Sequence, residues 1–347
     1  MKKIVLYLFT IFLIYSCKKE ISSTSNNNSS NAQWESLGKG LSGGLFGNAT
    51  AYTIAVYKDE LYVGGRFTAA GNDSAYYIAK WNGTNWSNLG TGKSAANLKG
   101  INSLIVYDNA LYALGNFNIT GGTPVLGCAK WDGLAWSQAI GIGPIYNSFL
   151  TVYNGELYLK STNDLIYKYD VTTASSYFAQ NLNGPVNSVA EFNGSLYIAG
   201  SFNNSNHDSA FYIARWDGST MYSFGEGIDS SIYNLFAYDG SLYASGEFTH
   251  VGGITCDGFA KWNGSSWSPV AGYNNNSGLF SIIYNGELYE NFITGTPQTP
   301  ELNLVKWDGS TWSDKGVMTD YGFGYTYGTL GMNLINDDLH FAVFRGS

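Results

Sequence analysis

The sequence predicts an all-β chain folded as a seven-bladed β-propeller, with six blades as the alternative reading. Three observations predict it. A Leu-Tyr pair returns at a nearly constant interval, hairpin-turn dipeptides fall between the hydrophobic runs, and the composition favours strands over helices. Of 347 residues, 16% are aromatic and 43 are Gly, while charged residues make up only 13%, against a usual figure of about 25%. Tyr, Trp and Phe suit a pleated surface packed on both faces. The shortage of Lys, Glu and Met removes the residues from which long helices are made.

The chain begins with Lys2 and Lys3, followed by an apolar run from Ile4 to Tyr15. That run is too short for a stable membrane span and suits the core of an export signal. Ile14-Tyr15-Ser16-Cys17 resembles the lipobox of bacterial lipoproteins. The resemblance implies cleavage before Cys17 and its lipidation; an ordinary secretory signal with a chance cysteine is the alternative. Residues Lys18 to Ala32 are polar and rich in Ser and Asn, as a flexible tether would be. The expected organisation is a signal peptide over 1–16, a tether over 17–32 and one propeller domain over 33–347. Loss of Lys2 and Lys3 takes the net charge from −8 to −10. With no basic stripe, nucleic acid is excluded as a partner.

The repeat then runs through the rest of the chain. The pairs are Leu61-Tyr62, Leu111-Tyr112, Leu157-Tyr158, Leu196-Tyr197, Leu242-Tyr243 and Leu288-Tyr289, with a variant at Leu339-His340. Their spacings are 50, 46, 39, 46, 46 and 51 residues, an interval of propeller-blade size. An aromatic sits four residues before each of the first six: Tyr57, Tyr107, Tyr153, Phe192, Tyr238 and Tyr284. Asx-Gly dipeptides between them signal hairpins. Further on comes a basic-aromatic pair, an Asx-Gly turn and a second aromatic. The best copies are Lys80-Trp81 with Trp86, Lys130-Trp131 with Trp136, Lys261-Trp262 with Trp267, and Lys306-Trp307 with Trp312; Arg215-Trp216 with Tyr222 is looser. With Trp34, all ten tryptophans hold repeat positions, so they read as structural.

Each unit is thus four strands, in the second unit 101–107, 111–117, 127–131 and 135–140. The first is apolar on both faces, as an inner strand between neighbouring blades must be. Residues 33–38 match a fourth strand without the preceding three, and 330–345 match a first and second strand with nothing following. Joined, they make a seventh blade from both termini and remove the sheet edges of an open array. A copy of its third strand is missing. Cys128 and Cys256 lie at different offsets in their units, so no disulfide between them is expected.

Leu-Tyr-x-x-Gly-x-Phe-Thr, Ile-Ala-Lys-Trp-Asn-Gly and Trp-Ser-x-Leu-Gly, as at 61–68, 78–83 and 86–90, resemble the repeats of Kelch-like and galactose-oxidase-central-domain-like propellers of Bacteroidetes surface proteins. The resemblance covers about residues 33–345. It implies a fold and a lipid-anchored place at the outer membrane, on the cell surface or the periplasmic side. It implies no single activity, because propellers host binding, scaffolding and catalysis alike.

Candidate site residues follow from the blade plan. Loops between second and third strands share a face with the interblade loops, and here they are the long, variable ones. That face holds Arg66, Lys93, His207, Glu247, His250, Asp314 and Tyr321, each of which can equally be a solvated loop residue. Around the channel mouth, Asn102-Ser103 and Asn187-Ser188 share a register early in the inner strands, with Asn147-Ser148 and Asn234 within one residue of it. Such groups hold sugar hydroxyls, or simply backbone and water. Glu191 stands where the other units place Val56, Val106, Val152, Ala237, Ile283 and Leu334, and a carboxylate there must be near water or paired.

The expected function is non-catalytic binding of a glycan or protein partner, by a monomer with neither cofactor nor metal. The alternatives are a polysaccharide-active enzyme using Glu191, Glu247 or Glu226, and a structural envelope protein. The three histidines are scattered and the three arginines include one, Arg215, at the repeat's basic position. Copper-radical oxidase and sialidase constellations are therefore absent. Two Asp-Ser-Ala triplets, at Ser74 and Ser209, resemble the O-glycosylation motif of Bacteroidetes exported proteins.

Overall fold

The computed structural model describes residues 16–18, 33–35, 37–43, 49–89, 100–119, 125–140, 149–160, 166–170, 175–176, 182, 184–202, 212–224, 228–270, 280–284, 287–296, 299–309, 311–318, 332–335 and 338–341. Among them there is no helix, and the chain is all-β. Six four-stranded antiparallel sheets follow one another. Their strands are 50–57, 60–66, 78–81 and 86–88; 100–107, 110–119, 125–131 and 136–140; 150–153, 156–160, 166–170 and 175–176; 186–192, 195–200, 213–216 and 221–223; 232–238, 241–246, 259–262 and 267–269; and 280–284, 287–296, 299–307 and 312–318. In each, hydrogen-bonded neighbours follow chain order, as the repeat predicts.

Among the described residues, the first hairpins of the first five sheets turn on pairs with positive φ, from Lys58-Asp59 and Asp108-Asn109 onward. Asn154-Gly155 has φ of 50° and 71°, Asn193-Gly194 48° and 70°, and Asp239-Gly240 43° and 68°. These are type I′ values, whose twist matches that of the flanking strands. In four sheets the hairpin between the third and fourth strands is an Asx turn: the side-chain oxygen of Asn82, Asp132, Asp217 or Asn263 accepts both backbone N–H groups two and three residues on. Asp308 accepts from the N–H three residues on, at Thr311.

Consecutive sheets pack face to face. Tyr57 and Tyr62 of the first sheet meet Ile101, Leu104, Leu111 and Ala113 of the second. Tyr153 and Tyr158 of the third meet Leu196 and Ile198 of the fourth, and like clusters join the second to the third, the fourth to the fifth and the fifth to the sixth. Each fully buried Leu or Ile contributes about 1.5–3 kcal/mol. The recurrent polar atoms latch neighbours together. The Tyr57 hydroxyl donates to Asn109 O at 2.9 Å, Tyr107 to Gly155 O at 2.9 Å and Tyr153 to Gly194 O at 2.9 Å, each time on the next sheet's first turn. The basic residue of the basic-aromatic pair meets the Glu before the Leu-Tyr motif, as in Lys80–Glu60 at 2.7 Å and Lys306–Glu287. Lys168–Glu156 at 2.9 Å does the same in the third sheet. Lys168-Tyr169 is that unit's basic-aromatic pair, less visible in the sequence because Tyr replaces Trp.

Four sheets carry a β-bulge at one repeated place. Tyr52, Asn102, Asn187 and Tyr233, each nine residues before the Leu of its unit, are extra residues in the first strand. The Gly four residues after the Leu is the cause. A Cβ on Gly65, Gly115, Gly200 or Gly246 would lie 2.1, 2.4, 2.0 or 2.1 Å from the carbonyl oxygen of Thr50, Gly100, Pro185 or Ser231. Only glycine permits so close an approach of two backbones.

At the ends of the chain, Met332–Ile335 and Asp338–Phe341 form a hairpin, and the first of these strands lies beside 50–57. Ser16–Lys18 is a strand paired with Gln33–Glu35, Cys17 opposite Trp34, and it lies beside 338–341. Strand edges left open in this region gain partners that way. Cys128 and Cys256 are buried and joined by no disulfide.

Candidate functional site

The latches and bulges separate the sheets' two ends. Among the described residues, one end carries tight two-residue and Asx turns. At the other, the bulge and the residue after the close-approach glycine lie side by side on adjacent strands. In the ladders Arg66 stands opposite Thr50 and Asn116 opposite Gly100, while in the fourth and fifth sheets the bulge residue meets the residue after the glycine, Asn187 with Ser201 at 3.4 Å and Tyr233 with Glu247. A bulge re-aims its side chain out of the ladder's alternation, so polar residues collect at this end without disturbing the apolar interfaces below.

The fourth and fifth sheets hold the densest group. Asn187 Nδ2 donates to Ile232 O of the next sheet at 2.9 Å and lies 3.4 Å from Ser201 Oγ. The Tyr233 hydroxyl donates to the Glu247 carboxylate; burial first, and then that charged acceptor, push its pKa up to about 12. Beside it, Asp229 Oδ1 accepts from Thr249 N at 2.8 Å and His250 N at 3.1 Å. Its Oδ2 meets Thr249 Oγ1 at 2.8 Å and His250 Nδ1 at 2.9 Å. Desolvation acts upward on the Asp229 carboxyl, but these hydrogen bonds outweigh it and hold the group well below the usual carboxylate range. The network clamps the start of the loop after Gly246. As an exposed ion pair, Asp229–His250 itself contributes about 0–1 kcal/mol.

The structure brings Glu247, His250 and Asn187 to one neighbourhood and places Arg66 and Asn102 at the same end of the first and second sheets. Ser103, Ser188 and Asn234 lie one step deeper and join sheets. Ser103 Oγ accepts from Leu150 N at 3.0 Å, and Ser188 Oγ from Leu235 N at 3.1 Å, with Asn234 Oδ1 3.4 Å from that hydroxyl. Thr53 makes the equivalent bond, to Leu104 N at 2.9 Å.

Glu191 is elsewhere. It pairs with Leu196 near the hairpin turn, while the Glu247 N–H bonds to Ser231 O before its sheet's first strand begins. At about 3.3 Å per residue the two stand roughly 15 Å apart along the strand direction. Paired glycosidase carboxylates need about 5–9.5 Å. Glu191 is half-buried, and burial raises its pKa.

Lys93, His207, Tyr321, Glu226, Asn147, Ser148 and Ser209 lie outside the described residues. Tyr52, Tyr233, Asp229 and Thr249 were missed by sequence reasoning. The glycine four residues after each Leu was the signal for the first two, since it marks where a bulge forms.

No family model matches the chain, and no curated protein matches it. Solved structures do. A chain of a structure described as "Crystal Structure of Mitotic Checkpoint Complex" is similar over 95% of this chain and 100% of its own length, with a TM-score of 0.52 at 12% identity. The computationally designed Ika8 protein covers 85% of this chain and 96% of its own, with a TM-score of 0.43 at 10% identity. At 12% identity the first likeness speaks to fold alone, a propeller-type all-β architecture.

Proposed function

We propose that this chain is an exported, lipid-anchored propeller that binds a glycan or protein partner through the loop end of its sheets and catalyses nothing. The observation that carries the reading is the bulge-and-glycine device. In four sheets it sets polar side chains at the loop end, and in the fourth and fifth these meet in pairs; loops on such scaffolds are where binding resides. Against the hydrolase alternative stands the separation of Glu191 from Glu247. The test is a glycan array and a chromogenic-glycoside screen with the purified domain. Binding without turnover is expected, and turnover abolished by Glu247→Gln would overturn the binding-only reading.

The architecture within this proposal is seven Kelch-like blades, the last built from both termini. Its support is a repeated hydrogen bond. Trp136 Nε1 donates to Leu89 O at 2.7 Å, from one sheet to the strand end of the sheet before it, and Trp86 Nε1 donates to Leu37 O at 2.8 Å. Leu37 thus stands to the first sheet as Leu89 stands to the second. Anchoring is tested by Cys17→Ser, which should release the protein from membranes; unchanged retention would refute lipidation.

A further inference from the structure

Among the charged groups at the loop end, Arg66 differs from its counterpart in the fifth sheet. Glu247 there has the Tyr233 hydroxyl, and nearby Asp229 has Thr249 and His250. Arg66 occupies the same repeat position in the first sheet, half-buried, with its Nε enclosed and lacking any acceptor. No ion pair to it occurs among the described residues. An enclosed guanidinium N–H without an acceptor costs free energy unless something supplies one.

The surroundings say what would fit. The backbone beside Arg66 is stripped of side chains: Gly65 precedes it, and a Cβ on Gly100 would lie 2.2 Å from Gly65 O and 3.2 Å from Arg66 N. The bulge residues of the two adjoining sheets are Tyr52 and Asn102, both half-buried. They bring a phenol and an amide, both uncharged hydrogen-bonding groups, to the same end of the first two sheets as the Arg66 guanidinium. A guanidinium offers paired N–H groups that take both oxygens of a carboxylate.

Resting on the binding role proposed above, we infer that Arg66 is the anchor of a subsite for the carboxylate of an acidic saccharide, a uronic acid unit, with Tyr52 and Asn102 meeting its ring and hydroxyls. One carboxylate among several hydroxyls matches one guanidinium among uncharged groups. The chain's net charge of −8 opposes polyanions at long range, so recognition is by contact, and short oligosaccharides are the right probes.

The experiment titrates the purified domain with tetrasaccharides of galacturonate, mannuronate and glucuronate, each as the free acid and as the methyl ester, together with neutral tetrasaccharides. At least one free acid should bind better than its ester. Arg66→Gln should weaken that acid about 10- to 100-fold and leave the ester unchanged, with Arg66→Lys intermediate. Unchanged far-UV circular dichroism and melting would exclude misfolding as the cause. Equal binding of acid and ester, or of wild type and Arg66→Gln, would overturn the subsite while leaving a saccharide-binding face intact. Binding only to neutral sugars would do the same. No saccharide bound, with a peptide carboxylate bound instead, would overturn the saccharide assignment.

Discussion

Replacing Tyr153 by Phe removes one oxygen atom and nothing else. The ring is fully buried and its hydroxyl donates to Gly194 O of the next sheet at 2.9 Å. A bond of this kind contributes about 0.5–1.5 kcal/mol net. Because Gly194 is exposed, its carbonyl can turn to water, so the loss should be about 1 kcal/mol. In a domain of this size that lowers Tm by about 2 °C. The fourth unit supplies the reverse case. Phe192 occupies the same position, 6% exposed, and lacks the hydroxyl. Phe192→Tyr should therefore gain about 0.5–1 kcal/mol by reaching the Asp239-Gly240 turn. Urea denaturation of the two variants reads both signs. A neutral Tyr153→Phe together with a destabilised Phe192→Tyr would refute the idea that these phenols tie adjacent sheets.

Three further outcomes follow from the geometry. Gly246→Ala would place a Cβ 2.1 Å from Ser231 O and should cost more than about 2 kcal/mol, whereas Gly240→Ala, with open space around it at φ +68°, should cost about 1 kcal/mol; thermal melts compare them. The Glu191 carboxyl has its pKa raised by burial. Its stabilising contribution is therefore complete below the unfolded value and is lost as pH rises through the folded one. Glu191→Val should accordingly gain on wild type as pH rises above the ordinary Glu pKa of about 4.3, and a pH-independent difference would contradict this. Trp86→Phe and Trp136→Phe should each lose about 1 kcal/mol, since their Nε1 bonds to Leu37 O and Leu89 O are equivalent. A much smaller loss for Trp86 would count against residues 37–38 serving as the outer strand end of a preceding blade.

The sequence by itself determined the sheets. Periodic Leu-Tyr pairs, Asx-Gly turns and basic-aromatic pairs recur at intervals that allow only a repeated four-stranded unit, and the strands of the second unit lie within two residues of where the sequence places them. The reason is local: alternation and turn chemistry act over a few residues and need no distant partner. Contacts between units were not legible in the same way. That Tyr57, Tyr107 and Tyr153 bond to the following sheet, that Ser103 and Ser188 join neighbours, and that glycine forces a bulge under Asn102 and Asn187 depend on pairs about 40–50 residues apart. Glu191 and Glu247, alike as rare carboxylates in the sequence, lie at opposite ends of their sheets. Arg66 and Glu247 hold equivalent positions, yet one carboxylate has its phenol and one guanidinium nitrogen has no acceptor. Only the tertiary structure decides such differences, because a charge's partner is chosen by what the fold brings within about 3 Å of it.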